Sequence, residues 1–188
     1  MGNFYTNLTV VGPSHEQVIK AVRALKINAF VSQSFSGLTM VCEEKSDTQD
    51  ETIWHLVAKQ LSERLICPVL AALIHDDDVF LYALYDQGKL LDDYHSCPSY
   101  WGAVKDEGPR GGNADALVAA FGMPGEVHKV EQILRPAKPF VFSSEQHIAL
   151  AKALGWPDFQ LARCFRYLKA GGDIDDDGES EGWQRCGK

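Results

Sequence analysis

The segment from Val69 to Ile74 constrains the fold most, because every residue in it is apolar. Side chains alternate between the two faces of a strand, so an extended segment of this composition exposes an apolar row on each face. Such a strand is stable when both faces are covered or when it lies in the middle of a sheet. We therefore predict a central strand here.

Two elements are predicted ahead of that strand at the beginning of the chain. Residues 4–11 are β-favouring and partly alternating, and Gly12-Pro13 then ends the strand. Ser14 and Gln17 have the spacing of a capping box, and apolar residues follow at helical spacing. A strand followed by a helix is the prediction for this part.

A hairpin and a long helix are predicted next. Residues 28–34 and 38–43 are short extended segments on either side of a glycine-containing turn, which is typical of a β-hairpin. Thr48 and Glu51 repeat the capping-box spacing, and the helical apolar pattern then continues until shortly before Pro68.

The fold class follows from the order of these elements. Strand, helix, strand, strand, helix, strand is the order of the ferredoxin-like βαββαβ arrangement. Residues 79–85 and 90–94 flank a turn at 86–88 and predict a further hairpin. The prediction is an α+β fold with a ferredoxin-like core, extended by this hairpin to about six mainly antiparallel strands, with short C-terminal helices.

Four regions are predicted along the chain. Residues 1–96 form an α/β sandwich sub-domain, and residues 97–112, rich in glycine, proline and charge, form a loop. Residues 113–170 are a helical C-terminal part packed on the same domain. Residues 171–188 are glycine-rich and acidic, and we expect a flexible tail there.

Charge and cysteine content restrict the classes of partner. The 188-residue chain has a net charge of -8, which repels nucleic-acid phosphates and anionic lipid surfaces. Nucleic acid and membrane are therefore excluded as expected partners. The five cysteines are scattered and form no C-x-x-C pair, which indicates free thiols and a cytoplasmic location. The oligomeric state stays open.

The densest polar motif is His75-Asp76-Asp77-Asp78, between two predicted strands. The hairpin register would bring Asp78 close to His95, at one end of the sheet. His75, Asp78 and His95 could then hold a divalent metal, with Asp76 or Asp77 supporting the ligands or acting as a base. The alternative is structural, since aspartates are common in hairpin turns.

A second acidic run, Asp173 to Gly178, resembles the first half of an EF-hand calcium loop. The second half departs from the pattern, because Gln184 stands where the motif places its bidentate glutamate. We expect a solvated acidic segment rather than a calcium site.

Aromatic residues are concentrated on and just after the second hairpin, at Tyr82, Tyr85, Tyr94, Tyr100 and Trp101. Aromatic side chains with a polar end are enriched at protein-binding patches, although packing in the core is the alternative. We predict a non-catalytic protein-binding module, regulatory or immunity-like, that needs no cofactor. The alternative is a metal-dependent hydrolase that uses the His/Asp site.

The same hairpin also carries a resemblance. Residues 80–94, followed by Pro98 and Tyr100-Trp101, resemble an uncharacterised family of bacterial cytosolic proteins. Residues 2–7 and 140–155 are similar in style to that family. The resemblance implies a cytosolic protein and assigns no activity or catalytic residue.

Overall fold

A computed structural model describes residues 2–102, 108–156, 161–172 and 182–187. They form an α+β fold with eight strands in one antiparallel sheet and six α-helices. The strands are β1 (Tyr5–Val11), β2 (Ala29–Ser32), β3 (Leu38–Glu43), β4 (Pro68–His75), β5 (Val79–Asp86), β6 (Lys89–His95), β7 (Arg110–Gly111) and β8 (Trp183–Cys186). The helices are α1 (His15–Ala24), α2 (Glu51–Leu65), α3 (Ala114–Phe121), α4 (Val127–Leu134), α5 (Ser143–Ala153) and α6 (Phe165–Lys169).

The strand order in the sheet is β7-β6-β5-β4-β1-β3-β2-β8. The predicted number of about six strands is too low, since β7 and β8 are added at the two edges. Strand β8 lies inside the segment that the sequence predicted to be a flexible tail. It pairs with β2, and Trp183 and Cys186 are buried. The prediction of a flexible tail is therefore wrong for residues 183–186, while the EF-hand-like run lies outside the described residues.

Local signals explain where the first two helices begin. Ser14 and Gln17 form the predicted capping box at the start of α1. Helix α2 begins at Glu51 with Asp50 as its cap, because Thr48 belongs to a preceding 3-10 turn. The predicted cap at Thr48 is thus displaced by two residues.

Helices cover both faces of the sheet. One apolar cluster joins α1 and α2 to the face that carries Leu8, Val69 and Ala71. A second cluster joins the C-terminal helices to the opposite face, which carries Leu70 and Ala72. Strand β4 is therefore covered on both faces, as its apolar sequence predicts.

Buried hydrogen bonds also cross the layer of C-terminal helices. The Tyr5 hydroxyl and His147 Nδ1 are 2.9 Å apart, and the Trp156 indole N–H donates to Thr9 Oγ1 at 2.9 Å. Burial lowers the pKa of His147 to about 4, so this imidazole is neutral at pH 7. These bonds fix the helices on the sheet by polar groups as well as by apolar contact.

No helix in the described part of the chain is both long enough and apolar enough to cross a membrane.

Candidate functional site

The turn between β4 and β5 carries the acidic motif, and the N-terminal segment holds it in place. Asp76 and Asp77 have positive φ angles of 51° and 59°, as a tight type I′ hairpin turn requires. The Gly2 N–H donates to Asp76 Oδ1 at 3.0 Å, and the Asn3 backbone N–H and Nδ2 donate to Asp77 Oδ2 at 3.0 and 2.8 Å. The two carboxylates that were predicted to support a metal site therefore tie residues 2 and 3 to the turn.

The three predicted metal ligands lie on different faces of the sheet. His75 lies two residues after Leu73 in β4, and His95 in β6 pairs with Leu81 in β5. Leu73 and Leu81 belong to the face that α2 covers, so the register places both histidines on that face. Asp78 instead lines a cavity on the face of the C-terminal helices. Among the described residues, no group of three or more His, Cys, Asp or Glu side chains is arranged to hold a metal ion. The metal site stays a prediction that this geometry does not favour.

Each of these histidines already has one ring nitrogen in a hydrogen bond. His75 Nδ1 lies 2.7 Å from Gln49 Oε1, and His95 Nδ1 accepts the Cys97 N–H at 3.2 Å. Burial, and then the nearby Arg110 charge, lower the pKa of His95. Both rings are fixed by neighbouring polar groups.

The two rings belong to an exposed aromatic cluster, which we call the aromatic patch. Its members are Phe4, His75, His95, Tyr100 and Trp101. The Trp101 ring contacts His75, His95 and Tyr100 edge-on, with centroid separations of 5.7, 5.4 and 5.2 Å. Phe4 stands edge-on to His75 at 4.9 Å. Trp101 is nevertheless 55% exposed, so a large aromatic surface is held in place and faces solvent.

Acidic groups lie on two sides of the aromatic patch, and Arg110 lies near His95. Partial desolvation and then the charges of Asp78 and Asp76 raise the pKa of the Tyr100 phenol. On the α2 side, Glu51 and Trp101 line a depression of about 180 Å³. The patch therefore combines exposed ring surface with nearby carboxylates.

The other predicted partner-binding residues are core residues. Tyr82 and Tyr94 are stacked at 5.3 Å between the sheet and the C-terminal helices, with 1% and 2% of their surface exposed. Tyr85 is buried beneath α2, where its hydroxyl lies 2.8 Å from His55 Nδ1. Of the five aromatic residues, Tyr100 and Trp101 are accessible to a partner.

Sequence reasoning missed the polar residues that α5 buries. Gln146 donates to the Tyr94 hydroxyl and to the Ile133 carbonyl, and His147 contacts Tyr5. A signal was present, since His147 precedes Leu150 by three positions and so lies on the same helical face.

Comparison of the chain with protein-family models, curated proteins and solved structures gives no match. The family resemblance of the hairpin therefore stays a prediction.

Proposed function

We propose that the chain is a non-catalytic protein-binding module, regulatory or immunity-like, that docks a basic segment of a partner protein on the aromatic patch. The observation that carries this proposal is Trp101, which is more than half exposed although His75, His95 and Tyr100 contact its ring. A tryptophan held in one orientation loses little conformational freedom on binding, and tryptophan is enriched at binding hot spots.

Charge complementarity defines the partner's chemistry. Asp76 and Asp78 lie near Tyr100, Glu51 lies near Trp101, and the chain as a whole carries a net charge of -8. A lysine or arginine of the partner gains both from these carboxylates and from the face of an aromatic ring. An apolar anchor beside the cation would cover the rest of the ring surface.

The fold and the cysteines are consistent with this role. The strand order β4-β1-β3-β2, with α1 and α2 on one face, supports a ferredoxin-like core. That fold presents many unrelated binding surfaces, so it is compatible with a binding module without implying one. All five cysteines lie in the described part of the chain and none forms a disulfide, which supports a cytoplasmic location, where thiols stay reduced.

The proposal is tested by selecting randomised displayed peptides on the immobilised chain and on Trp101→Ala. We expect the wild-type selection to enrich lysine or arginine next to an apolar or aromatic residue, and the variant to lose that enrichment. Phe35→Ala is the matched control, because Phe35 is an aromatic residue 45% exposed on a different hairpin.

Three outcomes would count against the proposal. They are enrichment of acidic peptides, the same peptides enriched on wild type and Trp101→Ala, and no enrichment above an unrelated acidic protein. Circular dichroism of both variants checks that each one folds.

A further inference from the structure

A second concave site lies on the opposite face of the sheet, below the β4–β5 turn. It is a cavity of about 480 Å³, within the usual range of roughly 300 to 1,000 Å³ for small-molecule sites. The strand ends, the 108–109 segment and the α4–α5 connection enclose it. The residues used below are Asp77, Asp78, Arg135, Pro139, Phe140 and Ser143, all of which line the cavity.

The structure holds the walls of this cavity in place. The Ser143 N–H donates to the Asp77 carbonyl at 2.7 Å, which joins the first residue of α5 to the turn. The Tyr94 hydroxyl accepts from Gln146 at 2.9 Å and donates to the Leu134 carbonyl at 2.7 Å. A cavity fixed by such bonds needs little rearrangement to receive a ligand.

Two polar atoms of the lining residues lack partners. Ser143 is 7% exposed, and its hydroxyl makes no hydrogen bond to the described residues. Asp77 Oδ1 is likewise buried without a partner, although Asp77 Oδ2 accepts from Asn3. Buried polar atoms are nearly always paired in folded proteins, so two unpartnered atoms on residues of one cavity wall are consistent with a ligand that forms hydrogen bonds there.

The charged residues that line the cavity determine whether the ligand's hydrogen-bonding group is a cation or an anion. Asp77 and Asp78 place two carboxylates at the turn. The Arg135 guanidinium donates to the carbonyls of Gly111 and Gly112, so it is anchored at the β7 side. A cation is therefore favoured next to the aspartates.

We propose that this cavity binds a small organic molecule with a primary ammonium group on an apolar body. A primary ammonium has three donors, which suit the Asp77 and Asp78 carboxylates and the Ser143 hydroxyl. The apolar body packs against Phe140 and the neighbouring prolines. The cavity lies on the other face of the sheet from Trp101, but it shares Asp78 with the surroundings of the aromatic patch, because Asp78 also lies near Tyr100.

The test is a titration of the full chain with phenethylamine, hexylamine and tryptamine, monitored by amide NMR shifts. Phenethyl alcohol and phenylacetate serve as neutral and anionic probes of similar shape. We expect at least one amine to bind more tightly than either matched probe, with shifts concentrated at Gly108 and at the non-proline residues of 135–146.

Variants locate the ammonium group. Asp78→Asn should weaken amine binding about tenfold or more, because a charge-assisted hydrogen bond is lost, and Ser143→Ala should weaken it severalfold. Asp86→Asn is the control, since it removes the same charge at the far end of β5 and should change affinity by less than about twofold.

Three results would overturn the proposal. The first is that none of the amines causes shifts at millimolar concentration. The second is that phenylacetate binds as tightly as phenethylamine. The third is that Asp86→Asn weakens amine binding as much as Asp78→Asn does. The last result would show that net charge alone attracts the amine.

Discussion

The two faces of the sheet are stabilised differently. The face under α1 and α2 buries an apolar cluster that includes Leu61 and Val69. The face under the C-terminal helices buries a cluster of its own, but buried hydrogen bonds from His147 and Trp156 also cross it. Apolar burial depends little on pH, whereas a buried imidazole does not tolerate protonation. Burial also lowers the pKa of His55 in α2, but His55 is less deeply buried than His147. We therefore expect the helices around the cavity to depend more strongly on protonation state than α1 and α2 do.

The largest expected effect tests whether apolar burial is equivalent on the two faces. Leu61 in α2 and Leu150 in α5 are both fully buried. Leu61→Ala and Leu150→Ala should each lower the free energy of unfolding by roughly 2 to 5 kcal/mol at pH 7, because each leaves a cavity. Urea unfolding measures both losses. A loss under about 1 kcal/mol for either variant would contradict the packing described for that face.

The next prediction concerns the pH dependence of the free energy of unfolding, which should differ between the two faces. The pKa of His147 is about 4 in the folded chain against 6.5 in the unfolded chain. Its contribution to stability is complete above pH 6.5 and is lost as the pH falls towards 4, because the unfolded chain binds the proton more tightly. The total loss is about 3 kcal/mol.

His147→Gln should remove this component, so the stability of the variant should fall less than that of wild type between pH 7 and pH 4. His128→Gln is the control, because the His128 side chain is 84% exposed on α4. Urea unfolding at several pH values gives the curves. Parallel curves for wild type and His147→Gln would contradict the role assigned to the buried imidazole.

A smaller effect concerns the bond between Trp156 and Thr9. Thr9→Val leaves the buried indole N–H without its acceptor and should cost about 1 to 3 kcal/mol. The double variant Thr9→Val, Trp156→Phe should cost less than the sum of the two single variants, because the unpaired donor is then absent. Strict additivity in this double-mutant cycle would show that the bond contributes nothing.

Local patterns in the sequence were sufficient to predict much of the fold. The capping box at Ser14 and the all-apolar segment Val69 to Ile74 correctly predicted the start of α1 and a strand covered on both faces. These signals act over a few residues, so they do not depend on distant parts of the chain. The pairing of β8 with β2 joins segments about 150 residues apart in sequence. Composition carries no information on such a distant pairing, so it predicted that Trp183 belongs to a tail.

The candidate site was less predictable for a physical reason. Alternation along β5 and β6 places Tyr82 and Tyr94 on a shared face, but it does not say whether that face meets solvent or helices. Since both faces are covered, the hairpin tyrosines became core residues. Trp101 lies past the last residue of β6, outside the hairpin, and is 55% exposed.

The central claim is that Trp101 anchors a basic partner segment, and one dissociation constant tests it most directly. A basic peptide selected on the wild-type chain should bind Trp101→Ala about 30-fold more weakly or worse by isothermal calorimetry, as expected for a hot-spot tryptophan. Its affinity for Phe35→Ala should stay within about twofold of wild type. If Trp101→Ala binds the peptide as tightly as Phe35→Ala does, the aromatic patch is not the docking surface.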